Sequence, residues 1–221
     1  MKHRGSIEWK TKVGVRILVV VAAVGVTAAL ALAQTSTTGA TPQAGASDSM
    51  GMRMKMVEGW PKAAQEAAAF MTGKYGAPAA ATPDMLVWGK AGPWKRTVIY
   101  KVEHPHEFPA HHTDVMQQWI DYKAAPEKYS DLAAYDGSVV VERTSGEISA
   151  RCDKEGANFL ALNLAHEIVI GKRSVADARK MYGDQIAAMK AKQPAPYTEK
   201  LLFQPMSETG DPDHAVSADR R

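Results

Sequence analysis

From Lys101 to Asp114 the chain reads Lys-Val-Glu-His-Pro-His-Glu-Phe-Pro-Ala-His-His-Thr-Asp, and this stretch holds four of the seven histidines. Neutral imidazole is a good ligand for zinc, divalent copper and iron. On an extended chain His104 and His106 project to the same side, about 6.7 Å apart at Cα, close enough for both rings to converge on one ion. His111 can return to them after a turn at Pro109. The candidate metal ligands are therefore His104, His106 and His111, with zinc or copper as the candidate ion. Glu107 and Asp114 are placed to add a ligand, a hydrogen-bonding carboxylate or a general base. An open coordination position would make the site a small zinc-type hydrolase. The competing reading is structural: prolines and histidines form a rigid connection, His104 packs in the core, and Asp114 caps a helix.

Three other groups carry chemistry. Met50, Met52, Met54 and Met56 alternate along residues 50–56, and thioethers are soft ligands suited to monovalent copper. The same four side chains can instead pack adaptably on a protein surface. Cys152 is the one cysteine of the chain, so no intramolecular disulfide forms, and its place beside Ile148 and Ala150 on one strand face reads as a small buried hydrophobe. Asn163 and His166, one helical turn apart, and Arg151 on the preceding strand are candidate polar groups facing a ligand. The chain contains no Gly-x-Ser-x-Gly elbow, P-loop or Gly-x-Gly-x-x-Gly fingerprint.

The elements that position these residues follow from periodicity and punctuation. A helix runs from about Pro61 to Tyr75, with a small-residue face of Ala64, Ala67, Ala68 and Met71, and is stopped by Gly76 and Pro78. Residues 85–88 and 95–103 form a hairpin. Alternation along its second strand puts Val98, Tyr100, Val102 and His104 on one face, and Pro105 ends the strand. Asp114 followed by Gln117 has capping-box spacing and predicts a helix over 115–122. A short helix starting at Pro126 and anchored by Leu132 leads to a second hairpin, 139–141 with 147–152, around a loop in which Gly146 takes a left-handed conformation. A helix apolar on both sides then runs from Asp153 to about Ile170, and Ser174 with Asp177 opens another. Residues 200–203 are a candidate edge strand. The fold class expected is α+β, with antiparallel β-hairpins forming one sheet layer and helices packed on one face.

Composition bounds the function. Residues 1–33 carry Lys2, Arg4, Lys10, Lys12 and Arg16, then an apolar run and Ala31-Leu32-Ala33, the pattern of a cleavable secretory signal peptide. The chain has 27 basic and 24 acidic residues. Residues 1–33 hold five of the former and one of the latter, which leaves 22 basic against 23 acidic. A nearly neutral mature chain gives no electrostatic case for nucleic acid, and the apolar run is too short for a stable membrane span. Residues 34–56 read as a disordered Thr/Ser/Gly/Ala tether with a Met-rich end, 57–204 as a single α+β domain, and 205–221 as a disordered tail. The expectation is an exported, soluble protein of the bacterial cell envelope, periplasmic or extracellular. With no complete catalytic constellation in view, it reads first as a non-catalytic module that binds a small ligand or an envelope protein. The alternative is a transition-metal-binding protein, handling copper or acting as a metal-dependent hydrolase, built on His104 and His106 with the methionine segment.

Overall fold

The computed structural model describes Lys55 and residues 57–216. The signal-peptide pattern, the tether and its four methionines lie outside the described residues. Six strands form one antiparallel sheet in the order β1-β2-β3-β4-β6-β5. They are β1 (Ala80–Ala81), β2 (Met85–Trp88), β3 (Arg96–His106), β4 (His112–Asp121), β5 (Val139–Glu142) and β6 (Glu147–Cys152). The α-helices among the described residues are α1 (Lys62–Tyr75), α2 (Tyr129–Tyr135), α3 (Glu155–Val169) and α4 (Val175–Lys190). The fold is α+β, as the two hairpin patterns and the 3.6-residue stripes imply. Among the described residues no helix is long and apolar enough to cross a membrane.

Strand alternation decides which face is covered. Register aligns Leu86 with Ile99, Ile99 with Met116, Met116 with Cys152, and Ile120 with Ile148, and all of these are buried. Against this face α1 sets Ala64, Ala67, Ala68 and Met71. Its small side chains let the helix approach the sheet closely. Helix α3 is buried on nearly every side, with Leu160, Leu164 and Ile168 in the core, and α4 covers it from outside with Ala178 and Tyr182. The opposite face of the sheet carries polar and aromatic side chains. Arg96 lies 4.2 Å over the Trp119 ring and pairs with Glu147. A row of bonds runs from Tyr100 to Gln117 to Ser149.

The helix expected over 115–122 is strand β4, so Asp114 caps nothing. The residues explain the outcome: Val115, Trp119 and Ile120 favour extended backbone. Met116, Gln118 and Ile120 alternate inward, and buried Gln118 bonds to Thr97 and Asn158. The capping-box spacing was a local signal overridden by period-2 burial. Residues 200–203 form no strand; the Lys200 carbonyl and the Leu202 N–H bond to the side chain of Asn163. Ser174 caps α4 as its spacing implies, its hydroxyl accepting the Asp177 N–H at 3.1 Å.

Among the described residues beyond Pro205 there is no helix or strand, yet this segment crosses the ends of β4, β5 and β6. Met206 donates its N–H to the Asp121 carbonyl, Thr209 is buried, and Arg143 pairs with Asp213. Gly146, at φ +61°, permits this approach, because a Cβ there would sit 1.8 Å from the Thr209 carbonyl oxygen.

Candidate metal centre

Strands β3 and β4 outrun their neighbours. Pairing with β2 ends at Tyr100, and pairing of β4 with β6 begins at Met116, so 101–106 and 112–115 form a two-stranded extension. It folds onto the helices through Phe108 at its tip, which precedes a cis Phe108–Pro109 bond. The Phe108 ring centre is 5.0 Å from that of Tyr182, and the Arg179 guanidinium stacks on its face at 3.8 Å. These contacts hold the tip against α2 and α4.

A register shift between Ile99 and His104 then sets which histidines meet. From Ile99 to His104 β3 advances five residues, while β4 advances two, from Met116 back to Asp114. The alternation that would put His104 on the Val98 side is interrupted by this bulge. His106 comes opposite His112, with ring centres 4.9 Å apart. Asp114, two residues along from His112, is turned toward the same pair.

His106, His112 and Asp114 each offer one ligand atom, and these atoms lie within 4.8 Å of one another. His112 Nε2 is 3.2 Å from Asp114 Oδ1, and His106 Nδ1 is 3.4 Å from Asp114 Oδ2. Two ligands held about 2.1 Å from one tetrahedral ion are themselves about 3.4 Å apart. Two histidines and one carboxylate also form a donor set that suits zinc or iron. The other His112 nitrogen, Nδ1, lies 2.9 Å from the Ala110 carbonyl, a contact that fixes the ring's orientation.

The turn between α2 and β5 supplies the surroundings. The Ser138 hydroxyl donates to Asp114 Oδ2, and the Ser138 N–H donates to Asp136 Oδ1 at 2.8 Å. Asp136 Oδ1 stands 3.7 Å from His106 Nε2. Two buried carboxylates thus face two imidazoles, and no lysine or arginine among the described residues pairs with either carboxylate. Asp114 Oδ1 is buried and has no hydrogen-bond partner, since His112 Nε2 is near it but not aligned to donate. The Asp114 carboxylate, with Cys152 beside it, pushes His112 up to about 11. Burial works against an ionised Asp114, yet His112 and Ser138 hold its carboxyl below the ordinary range, while burial pushes Asp136 up.

The expected ligands divide. His106 is in the cluster, whereas His104 is exposed and His111 is exposed and bonded to Glu107 at 2.8 Å. Neither joins His106. Asp114, weighed both as a further ligand and as a helix cap, is in the cluster; the ligand missed, His112, carried a signal, because His-x-Asp on a strand puts both side chains on one side. Reading a helix from Asp114 onward concealed it.

The polar trio also separates. Asn163 bonds to backbone groups of Tyr197, Lys200 and Leu202. His166 stacks on Phe203 and contacts the Tyr122 hydroxyl at 2.9 Å. Both tie the chain after α4 to α3. Arg151 belongs to the other face of the sheet, opposite Gln117, and its Nε is buried without a partner. Cys152 is buried with Ile148 and Ala150 as their alternation implied, and burial pushes its thiol up. Comparison with known protein families, with curated proteins and with solved structures gives no match.

Proposed function

We propose that this is an exported metal-binding protein of the bacterial cell envelope, holding one zinc-type divalent ion through His106, His112 and Asp114, without itself being an enzyme. One observation carries the reading: ligand atoms of His106, His112 and Asp114 lie within 4.8 Å of one another, and the buried Oδ1 of Asp114, 3.2 Å from His112 Nε2, accepts no hydrogen bond. A buried acceptor without a partner costs about 1–3 kcal/mol, and a bound cation removes that cost. Asp136 would serve as a further ligand or orient His106. Nitrogen and oxygen donors favour zinc over monovalent copper, so the methionines of residues 50–56 are not needed for this site. Export rests on the pattern of residues 1–33 alone. The test is metal analysis of tag-free protein purified from the periplasmic fraction. About one zinc per chain supports the reading; metal-free protein that takes up neither zinc nor copper on addition overturns it.

A further inference from the structure

A cavity of about 240 Å³ opens between the β3–β4 tip and α4. His112 is its one wall residue from the metal cluster, and three kinds of chemistry meet around it. Ala157, Ile186 and Met189 give an apolar wall. Tyr182 gives an interior polar group. Its side chain is nearly all buried, with its ring against Phe108 and Tyr135, and its hydroxyl bonds to no described residue. Lys154 and Lys190 give a cationic rim. Lys154 is matched by Asp153 at 2.5 Å, whereas Lys190 pairs with no described residue, so the rim keeps a net positive charge.

We propose that this cavity binds a small carboxylic acid with an apolar, ring-sized body and a hydroxyl at its far end. The carboxylate meets Lys190 at the rim, the body lies on Ala157, Ile186 and Met189, and the far hydroxyl reaches the Tyr182 hydroxyl. An unpartnered hydroxyl on a cavity wall discriminates between ligands, because a ligand that covers it without bonding to it takes it out of water with nothing in return. The apolar wall supplies affinity but little selectivity. The flexible Met189 side chain lets the wall adjust to the body of the ligand. The cavity shares His112 with the metal cluster, but the three contacts assigned to the ligand, Lys190, the apolar wall and Tyr182, are not metal ligands.

The probes are phenylacetate and 4-hydroxyphenylacetate, titrated calorimetrically into the full chain with and without zinc. We expect both acids to bind and the hydroxylated one to bind about fivefold more tightly, the worth of one hydrogen bond. Tyr182→Phe brings the ratio of the two affinities to about one. Lys190→Glu weakens both acids about threefold at low salt, the scale of an exposed charge pair. Absence of binding by either acid in the millimolar range overturns the proposal, as does a preference that survives in a folded Tyr182→Phe protein. Failure of zinc to bind would leave these affinities unchanged, so the two readings are tested separately.

Discussion

Two buried acidic sites in this protein are built in opposite ways. Glu155, at the start of α3, is met by three donors from two other segments. Lys74 pairs with Oε2, and the Tyr75 hydroxyl and Trp94 indole N–H each donate to Oε1 at 2.7 Å. Both oxygens are satisfied and the charge is matched by a cation, so this carboxylate ties α1, the β2–β3 connection and α3 together. Glu147 and Glu167 follow the same rule, with Arg96 and Lys95 for one and Lys172 and Arg173 for the other. Asp114 and Asp136 do not. Asp114 faces both histidines and Asp136 faces His106; His112 is held protonated by Asp114 but gives up that charge on becoming a ligand, and one Asp114 oxygen has no aligned donor. A matched carboxylate is explained by the architecture it holds; an unmatched pair asks for a cation from outside the chain.

The largest expected effect comes from exchanging the two sites' roles by mutation. Glu155→Gln should cost about 2 kcal/mol of stability, since it strips the charge from a buried carboxylate that accepts from Tyr75 and Trp94 and pairs with half-exposed Lys74, and should leave zinc affinity unchanged. Asp114→Asn should cost metal-free protein no more than about 1 kcal/mol, because it also removes a desolvated charge. Its zinc affinity should fall by at least about 100-fold. Chemical denaturation of both variants without metal checks the first half, and equal losses at the two positions would erase the distinction.

Next in size is the separation among the four histidines. His106→Ala should weaken zinc binding by at least about 100-fold, and His104→Ala and His111→Ala by no more than about twofold. Competition against a zinc chelator measures this ranking. A large effect at His111 would restore the ligand set His104, His106 and His111.

The smallest effect sharpens the matched class. The Arg96 guanidinium, with Lys95 beside it, holds the Glu147 carboxyl below its ordinary range despite burial. A carboxyl depressed on folding adds stability that is present above its unfolded value and lost as pH falls through the folded one. Both cations are about a third exposed, 35% for Arg96 and 37% for Lys95, so screening limits the contribution to about 0.5–1 kcal/mol. Denaturation midpoints of wild type and Glu147→Gln should therefore converge as the pH is lowered below 4, a value set by the ordinary carboxyl range.

Much of the scaffold was legible because its signals were local and mutually consistent. The second hairpin followed from alternation in 147–152 and from Gly146, and α4 from Ser174 and Asp177. The metal cluster was legible only in part. His106 stood out by spacing, but its partners depended on a bulge between Ile99 and His104, and no single-strand periodicity encodes how two strands slip past each other. Asp114 was misassigned for the same reason: a capping box is four residues long, whereas the strand that overrides it is specified by burial against Thr97, Asn158 and the helices.

Calorimetric zinc titration in two buffers of different ionisation enthalpy decides whether the Asp114–Asp136 site holds a metal ion. At neutral pH His112, held protonated up to about 11 by Asp114, must lose its proton to accept the ion. The account predicts one zinc per chain with at least one proton released per ion, and loss of both signals in His112→Ala. Absence of zinc uptake by the wild-type protein, or uptake unchanged in His112→Ala, would contradict it.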